Sequence, residues 1–258
     1  GNHRRQKRPA SKTPAAPSFN VVHQNIPGRK NDKNVGTFIE NLIKRYHPAM
    51  LFLSEVNPDL VELSIPQGYK FHRGTLRGKP LCRVCVLIKV TEPYEIEELN
   101  LLIPTVVVKI AGWRFVGCYR EWAHGADPTT RGRPKELARF KTFVKWWRQH
   151  SRGKMVVCGD LNFDPNEPKT THQKSLHEIR GLVKDELLDR GWTQLVTEFT
   201  RSQKGEEPSL LDHIYVNQED FVEHLYRENT NGTDHYSVAI KVRLATPIFQ
   251  SRTFFCRN

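Results

Sequence analysis

Short apolar runs that stop on polar side chains recur along the chain, and between them lie a few segments whose apolar positions fall three and four apart. Runs of that length bounded by turn formers read as buried strands, and the wider spacing reads as amphipathic helix. Strands are expected over 19–23, 50–53, 81–90, 105–110, 113–119, 155–159, 210–216 and 237–244, the seventh interrupted by Asp212-His213. Val35, Phe38, Ile39, Leu42, Ile43 and Tyr46 define a helix with Asn34 as its cap and Pro48 as its stop. Pro134 suits the first turn of a second helix, with Leu137, Phe140, Val144 and Trp147 on one stripe. Ser175 to Glu178 has capping-box spacing ahead of a third, whose apolar face is Leu176, Ile179, Leu182, Val183 and Leu187.

The residues that close these runs carry chemistry. Asn25, Glu55, Tyr119, Asp160, Asn162, Asp212, Asp234 and His235 all stand at or just beyond a run end. Asp160 and Asn162, two apart, share a face if the strand continues through them, and a carboxylate beside an amide then points at one target. The competing reading is that Asp160 merely starts a polar turn. Carboxylates with an amide suit a hard divalent cation such as Mg²⁺. A histidine among acidic residues suits proton transfer or charge stabilisation. The clusters are far apart in sequence, so only a fold that gathers strand ends unites them.

Composition narrows the partners. Forty Lys and Arg against 28 Asp and Glu leave a net charge of +12, which favours a polyanion, nucleic acid first and an anionic membrane second. No stretch approaches the ~20 apolar residues of a membrane span, so no span is expected, and nucleic acid, no membrane, is taken as the partner. The five cysteines, Cys82, Cys85, Cys118, Cys158 and Cys256, are odd in number and read as reduced intracellular thiols. Cys82 and Cys85 lack a second pair to complete a zinc site. Residues 1–18 form a basic, proline-containing arm that serves as a phosphate contact, a nuclear address or a solvated linker. Residues 245–258 read as a tail or linker, leaving 19–244 as one domain.

The order of segments carries a resemblance. Gln24-Asn25, Ser54-Glu55-Val56-Asn57, Tyr119-Arg120, Gly159-Asp160-Leu161-Asn162, Ser209-Leu210-Leu211-Asp212-His213-Ile214 and Thr233-Asp234-His235-Tyr236-Ser237 together resemble the exonuclease-endonuclease-phosphatase superfamily. Within it the chain looks most like the apurinic-type endonuclease domains of non-long-terminal-repeat retrotransposons. That resemblance implies an α+β fold, a four-layer α/β/β/α sandwich with two mainly antiparallel sheets face to face. It implies Mg²⁺, with Mn²⁺ as a substitute, on Glu55, with Asn25 and Asp234 completing or orienting the metal site. Asp160 would align or deprotonate the attacking water and Asn162 would bond the scissile phosphate. His235, oriented by Asp212, would stabilise the phosphorane or manage a proton, and Tyr119 would donate to the same phosphate. Arg120, Arg131, Arg133, Ser209 and Thr233 are the expected DNA contacts. Thr233 stands where many relatives carry Ser, and Cys85 where they often carry Gly. His124 is a weaker catalytic candidate, and His213 is expected on the opposite strand face in a structural role.

The expected function is therefore Mg²⁺-dependent nicking of one strand of double-stranded DNA in the nucleus. The 3′-hydroxyl so exposed would prime a reverse transcriptase in the same polyprotein. Alternatives on the same scaffold are an apurinic repair endonuclease or a lipid phosphatase, the latter weakened by Leu211-Asp212-His213 where such enzymes carry Cys-Asp-Arg. A catalytically silent nucleic-acid-binding module is the reading from another class.

Overall fold

Most strands of this chain are apolar on both faces, and that doubled burial dictates how the layers stack. A computed structural model describes residues 17–26, 34–78, 83–121, 133–166, 174–230 and 233–244. The arm over 1–16, the loop holding His124 and Arg131, Cys82, and the tail after Leu244 lie outside the described residues. In chain order the elements begin β1 (Ser18–Asn25), α1 (Val35–Tyr46), β2 (Met50–Ser54), α2 (Pro58–Glu62), β3 (Lys70–Arg73) and β4 (Val84–Ile88). There follow β5 (Tyr94–Glu97), β6 (Thr105–Ile110), β7 (Trp113–Tyr119), α3 (Arg133–His150) and β8 (Lys154–Asp160). The chain continues through α4 (Lys174–Glu186), β9 (Thr193–Gln194), β10 (Asp212–Val216), β11 (Val222–Asn229) and β12 (Tyr236–Arg243).

The strands form two six-stranded sheets, ordered β11-β12-β1-β2-β4-β3 and β5-β6-β7-β8-β10-β9. Pairing is antiparallel except for β1 with β2 and β7 with β8. Alternate side chains of each sheet, including Val21, Phe52, Val86, Val108, Phe115, Val156 and Ile214, meet in the central core. The other set of the first sheet, Val22, Leu51, Leu53 and Leu87, packs under Val35, Phe38, Ile39 and Leu42 of α1. Val107, Val116, Met155, Val157 and Tyr215 of the second sheet pack under α3 and α4. This is the expected four-layer α+β sandwich.

The local departures have physical causes. The strand anticipated over 210–216 starts at Asp212, so the polar pair opens it and does not interrupt it. Asn34 makes no side-chain cap bond to α1, and the helix ends at His47 in a left-handed turn whose N–H bonds Ile43 O. Asn57, by contrast, caps α2 by accepting from Asp59 N. Trp147 of α3 is wedged edge-on against Trp192 and Tyr215, with centroids 5.1 and 5.2 Å away. Strands β3, β5 and β11 carry polar and half-exposed side chains at sheet edges or next to them, and so gave no apolar run to read.

Gly159, one residue before Asp160, lies where β7 and β8 approach closely: a Cβ there would stand 1.9 Å from Cys118 O. Gly159→Ala is therefore expected to cost about 3 kcal/mol of unfolding free energy, as overpacking against rigid backbone does. A urea midpoint equal to wild type would show that these strands separate freely.

Candidate active site

The two parallel pairs decide where the run-end residues go. Parallel strands in register finish together, so Asn25 lies opposite Ser54 at the end of β1 and β2, and Tyr119 opposite Asp160 at the end of β7 and β8. Strand β10 enters antiparallel beside β8 and sets Asp212 directly opposite Asp160. An isolated bridge from Arg201 to His235 fixes the residue before β12 at the same edge. Glu55 follows β2 with φ +58°, a left-handed conformation unusual for a residue with a long side chain. It turns the carboxylate out of the β2 path and toward Tyr119, whose hydroxyl donates to Glu55 Oε1.

Asp160 and Asp212 are only 1% and 0% exposed, so their charges must be answered locally. Asn25 Nδ2 donates to Asp160 Oδ2, and the Asn162 N–H donates to Asp160 Oδ1 at 2.8 Å. His235 Nδ1 lies 2.7 Å from Asp212 Oδ2. Thr200 Oγ1 accepts from the backbone N–H of Asp212 at 2.8 Å and of Leu211 at 3.0 Å. Burial and the neighbouring Asp212 push the Asp160 carboxyl up, out of the usual carboxylate range. Burial opposes ionisation of Asp212 too, but contact with His235 and the nearby His23 holds it below its ordinary value. For His235, burial disfavours the cation, yet Asp212, Asp160 and Asp234 together outweigh it and the pKa rises to about 9. Burial and Glu55 keep the Tyr119 phenol protonated well above its ordinary value.

One ligand atom each from Asp160, Asp212 and His235 lie within 4.8 Å of one another. Asn25 Oδ1 is buried with no hydrogen-bond partner. An orphaned carbonyl oxygen beside carboxylates is a hard-oxygen donor set, which fits a divalent cation such as Mg²⁺.

Other expected residues are placed differently. Arg120 is not available to DNA: it is 1% exposed, and its guanidinium donates to Leu161 O and Asn162 O and pairs with Glu136 of α3. A long cation is buried there because it ties the turn after β8 to a helix, and even so burial lowers its pKa only to about 10. Asn162 does not continue the strand: its φ is +50° and its Nδ2 donates to Arg120 O at 2.7 Å. Asp160 and Asn162 thus meet through a turn, not through strand alternation. The Asp234 carboxylate is held by Arg201 Nε at 2.8 Å, apart from the Asp160–Asp212–His235 group. Ser209 bridges Arg201 through its backbone, and Thr233 Oγ1 accepts from His235 N at 3.1 Å. Arg133 opens α3, its side chain outside the described residues, as Arg131 is.

His213 faces away, bonded to Tyr215 Oη at 2.9 Å and Phe163 O at 3.0 Å. The residues at this edge that were given no role from the sequence are His23, Gln24, Thr200 and Arg201. Gln24 receives Thr230 Oγ1 at 3.0 Å and Ser237 Oγ, and donates to the His235 carbonyl at 3.4 Å. A polar His23-Gln24 ahead of Asn25 in a buried run was the signal available for the first two.

The model for the family described as "Endonuclease/Exonuclease/phosphatase family" matches residues 19–235. No curated protein sequence matches the chain. Among solved structures, the endonuclease domain of TRAS1, a telomere-specific non-LTR retrotransposon, superposes with TM-score 0.62 at 13% identity, covering 89% of this chain and all of that one. The 3′ phosphatase NExo from Neisseria superposes with TM-score 0.64 at 14% identity, covering 87% and 99%. An AP endonuclease from Archaeoglobus fulgidus does so with TM-score 0.63 at 15% identity, covering 86% and 98%. These likenesses establish the shared fold.

Two expectations follow from the geometry. Arg120→Met strands Glu136 and two carbonyls without a cation, and should cost about 3 kcal/mol of stability. DNA affinity of the folded fraction should be unchanged, whereas weakened affinity at wild-type stability would restore Arg120 to the DNA-binding surface. The second concerns pH. His235 keeps its proton to about pH 9 when folded, against about 6.5 unfolded, so its stabilisation is complete below the lower value and lost as pH rises through the upper. In metal-free protein the unfolding free energy should fall over that window, and Asp212→Asn should flatten the fall. Denaturation at a series of pH values measures both, and a flat wild-type profile would contradict the pairing.

Proposed function

The chain belongs to the endonuclease/exonuclease/phosphatase family, and from that premise we propose a Mg²⁺-dependent DNA endonuclease that nicks one strand of a duplex. The observation that carries this reading is the buried meeting of Asp160, Asp212 and His235 beside the orphaned Asn25 Oδ1, at the edge where both sheets end. Family members are metal-dependent phosphodiesterases and nucleases. A net charge of +12 favours a polyanionic substrate.

Glu55 and Asn25 would hold the cation, with Asp160 adjoining, and Asp234 joins them only by giving up Arg201. The bound cation would offset the negative charge that builds on the phosphate. Asp160, with its raised pKa, aligns a water and takes its proton as the oxygen attacks phosphorus. Asn162 has a second amide hydrogen left for a phosphate oxygen. The His235 imidazolium, held by Asp212, stabilises the phosphorane and gives its proton to the departing O3′. Tyr119, kept protonated, donates to the same phosphate. The P–O3′ bond breaks, leaving a 3′-hydroxyl and a 5′-phosphate.

In this reading the 3′-hydroxyl primes reverse transcription of a retrotransposon, by a polymerase in the same polyprotein, in a reducing nuclear compartment. Likeness to the TRAS1 domain supports the element, and the buried cysteines Cys118 and Cys158, which form no disulfide, support the compartment. The competing reading, incision at abasic sites, draws on likeness to the Archaeoglobus enzyme. Relative cleavage of abasic and intact duplexes separates the two.

Purified protein with Mg²⁺ should relax supercoiled plasmid, and Asp160→Asn should slow nicking at least a hundredfold, as loss of a general base does (~10²–10⁴). DNA affinity in EDTA should be largely spared. Plasmid left supercoiled by wild type sinks the nuclease reading, and equal loss of nicking and affinity sinks the role of Asp160.

A further inference from the structure

Two buried polar atoms without hydrogen-bond partners face each other at the centre of the site: His23 Nδ1 and Asp212 Oδ1, 3.5 Å apart. They come from different sheets, His23 from β1 and Asp212 from β10. The other His23 nitrogen, Nε2, lies 3.1 Å from Ser54 Oγ, on the residue just before Glu55. The other Asp212 oxygen, Oδ2, is taken by His235. A hydroxyl that donates to Nε2 leaves the imidazole proton on Nδ1, the nitrogen that looks at the carboxylate.

We propose that His23 is a positioning residue for Asp212, a neutral imidazole whose Nδ1–H donates to Oδ1 and so keeps Oδ2 aimed at His235. Its consequence for rate rests on the phosphodiesterase reading above. A buried donor and a buried acceptor left apart each keep the full cost of their lost hydration. A shift of about half an ångström closes the gap to an ordinary N–H···O bond. Catalytic hydrogen bonds are often long in the free enzyme and tighten when substrate arrives. Packing alone does not call for an imidazole here. Val21 and Val22 on the same strand are apolar, and burial of an ionisable ring is costly unless its nitrogens are used. The resulting line, Ser54–His23–Asp212–His235, runs from the Glu55 end of the first sheet to the imidazole of the reaction centre.

The test compares three replacements. His23→Phe fills the volume without a donor, His23→Asn keeps a donor near Nδ1, and His23→Gln places its polar end near Nε2. The readouts are single-turnover nicking at saturating DNA, DNA affinity in EDTA, and the low-field proton resonance of His235 Nδ1, assigned by its loss in Asp212→Asn. Phe should slow nicking by up to about a hundredfold, the scale of a small misplacement of a catalytic group, with affinity unchanged. Asn should recover most of the rate and Gln little. The His235 resonance should move in Phe and Gln but not in Asn. In a His235→Ala background the Phe change should cost nothing further, since both act through one carboxylate. Equal impairment of Asn and Phe, additive losses, or an unmoved resonance in Phe would each overturn the proposal. If Phe does not fold, the contrast of Asn with Gln decides. If wild type does not cut DNA, the nuclease reading fails by itself, and the resonance still decides the placement of Asp212.

Discussion

Asp160 and Asp212 stand opposite each other on neighbouring antiparallel strands, sealed from water, and the site is built around the repulsion between them. In so poorly solvated a place, two carboxylates at adjacent positions cannot both ionise without compensation. The protein gives them unequal surroundings. Asp212 receives His235 and faces His23, which favour its charge, while Asp160 receives two neutral donors, Asn25 and the Asn162 N–H. The outcome is a split pair, with Asp212 lowered and Asp160 raised. Direct contact between Asp212 and His235 gives that split its direction. Two carboxylates side by side are thereby left with different proton affinities, the asymmetry on which sites for proton transfer rely.

The compensation depends on parts that never touch the reacting centre. Arg120 is a buried strut between α3 and the turn after β8: it holds the carbonyls of Leu161 and Asn162, and Asn162 in return holds the Arg120 carbonyl. That reciprocal clasp keeps the turn N–H on Asp160. Thr200 does similar work for the start of β10. Strain is localised where geometry demands it, in the left-handed Glu55 and Asn162, and Asn bears that conformation more readily than Glu. Such residues persist only when their surroundings over-determine them, here through Tyr119 and Arg120. The first and second sheets are also joined here by polar bonds, Asn25 to Asp160 and Tyr119 to Glu55, where elsewhere they meet through apolar packing.

The apolar runs that form the cores of β1, β2, β4, β6, β7, β8 and β12, and the face of α1, were legible in the chain because burial on both faces leaves a local record. So was the habit of ending those runs on Asn25, Glu55, Tyr119, Asp160 and His235, since turn and strand chemistry are local too. Strands β3, β5 and β11 left no such record, as sheet edges tolerate polar side chains. Arg120 was misplaced because an arginine after a strand ordinarily faces solvent. Its burial is set by Glu136, sixteen positions on, and by carbonyls across the sheet. Asn162 reached the centre by a turn, and Asp234 was drawn to Arg201.

By itself, then, the sequence determined the buried strands and the amphipathic helices, and which polar side chains would wait at their ends. Register and strand order decided the rest: that Asp212 faces Asp160, that His23 of one sheet faces Asp212 of the other, and that Glu55 reaches Tyr119. Hydrophobic periodicity is a property of neighbours along the chain. The charge state of a carboxylate depends on what stands within a few ångströms of it, and those groups come from positions as far apart as 23 and 212.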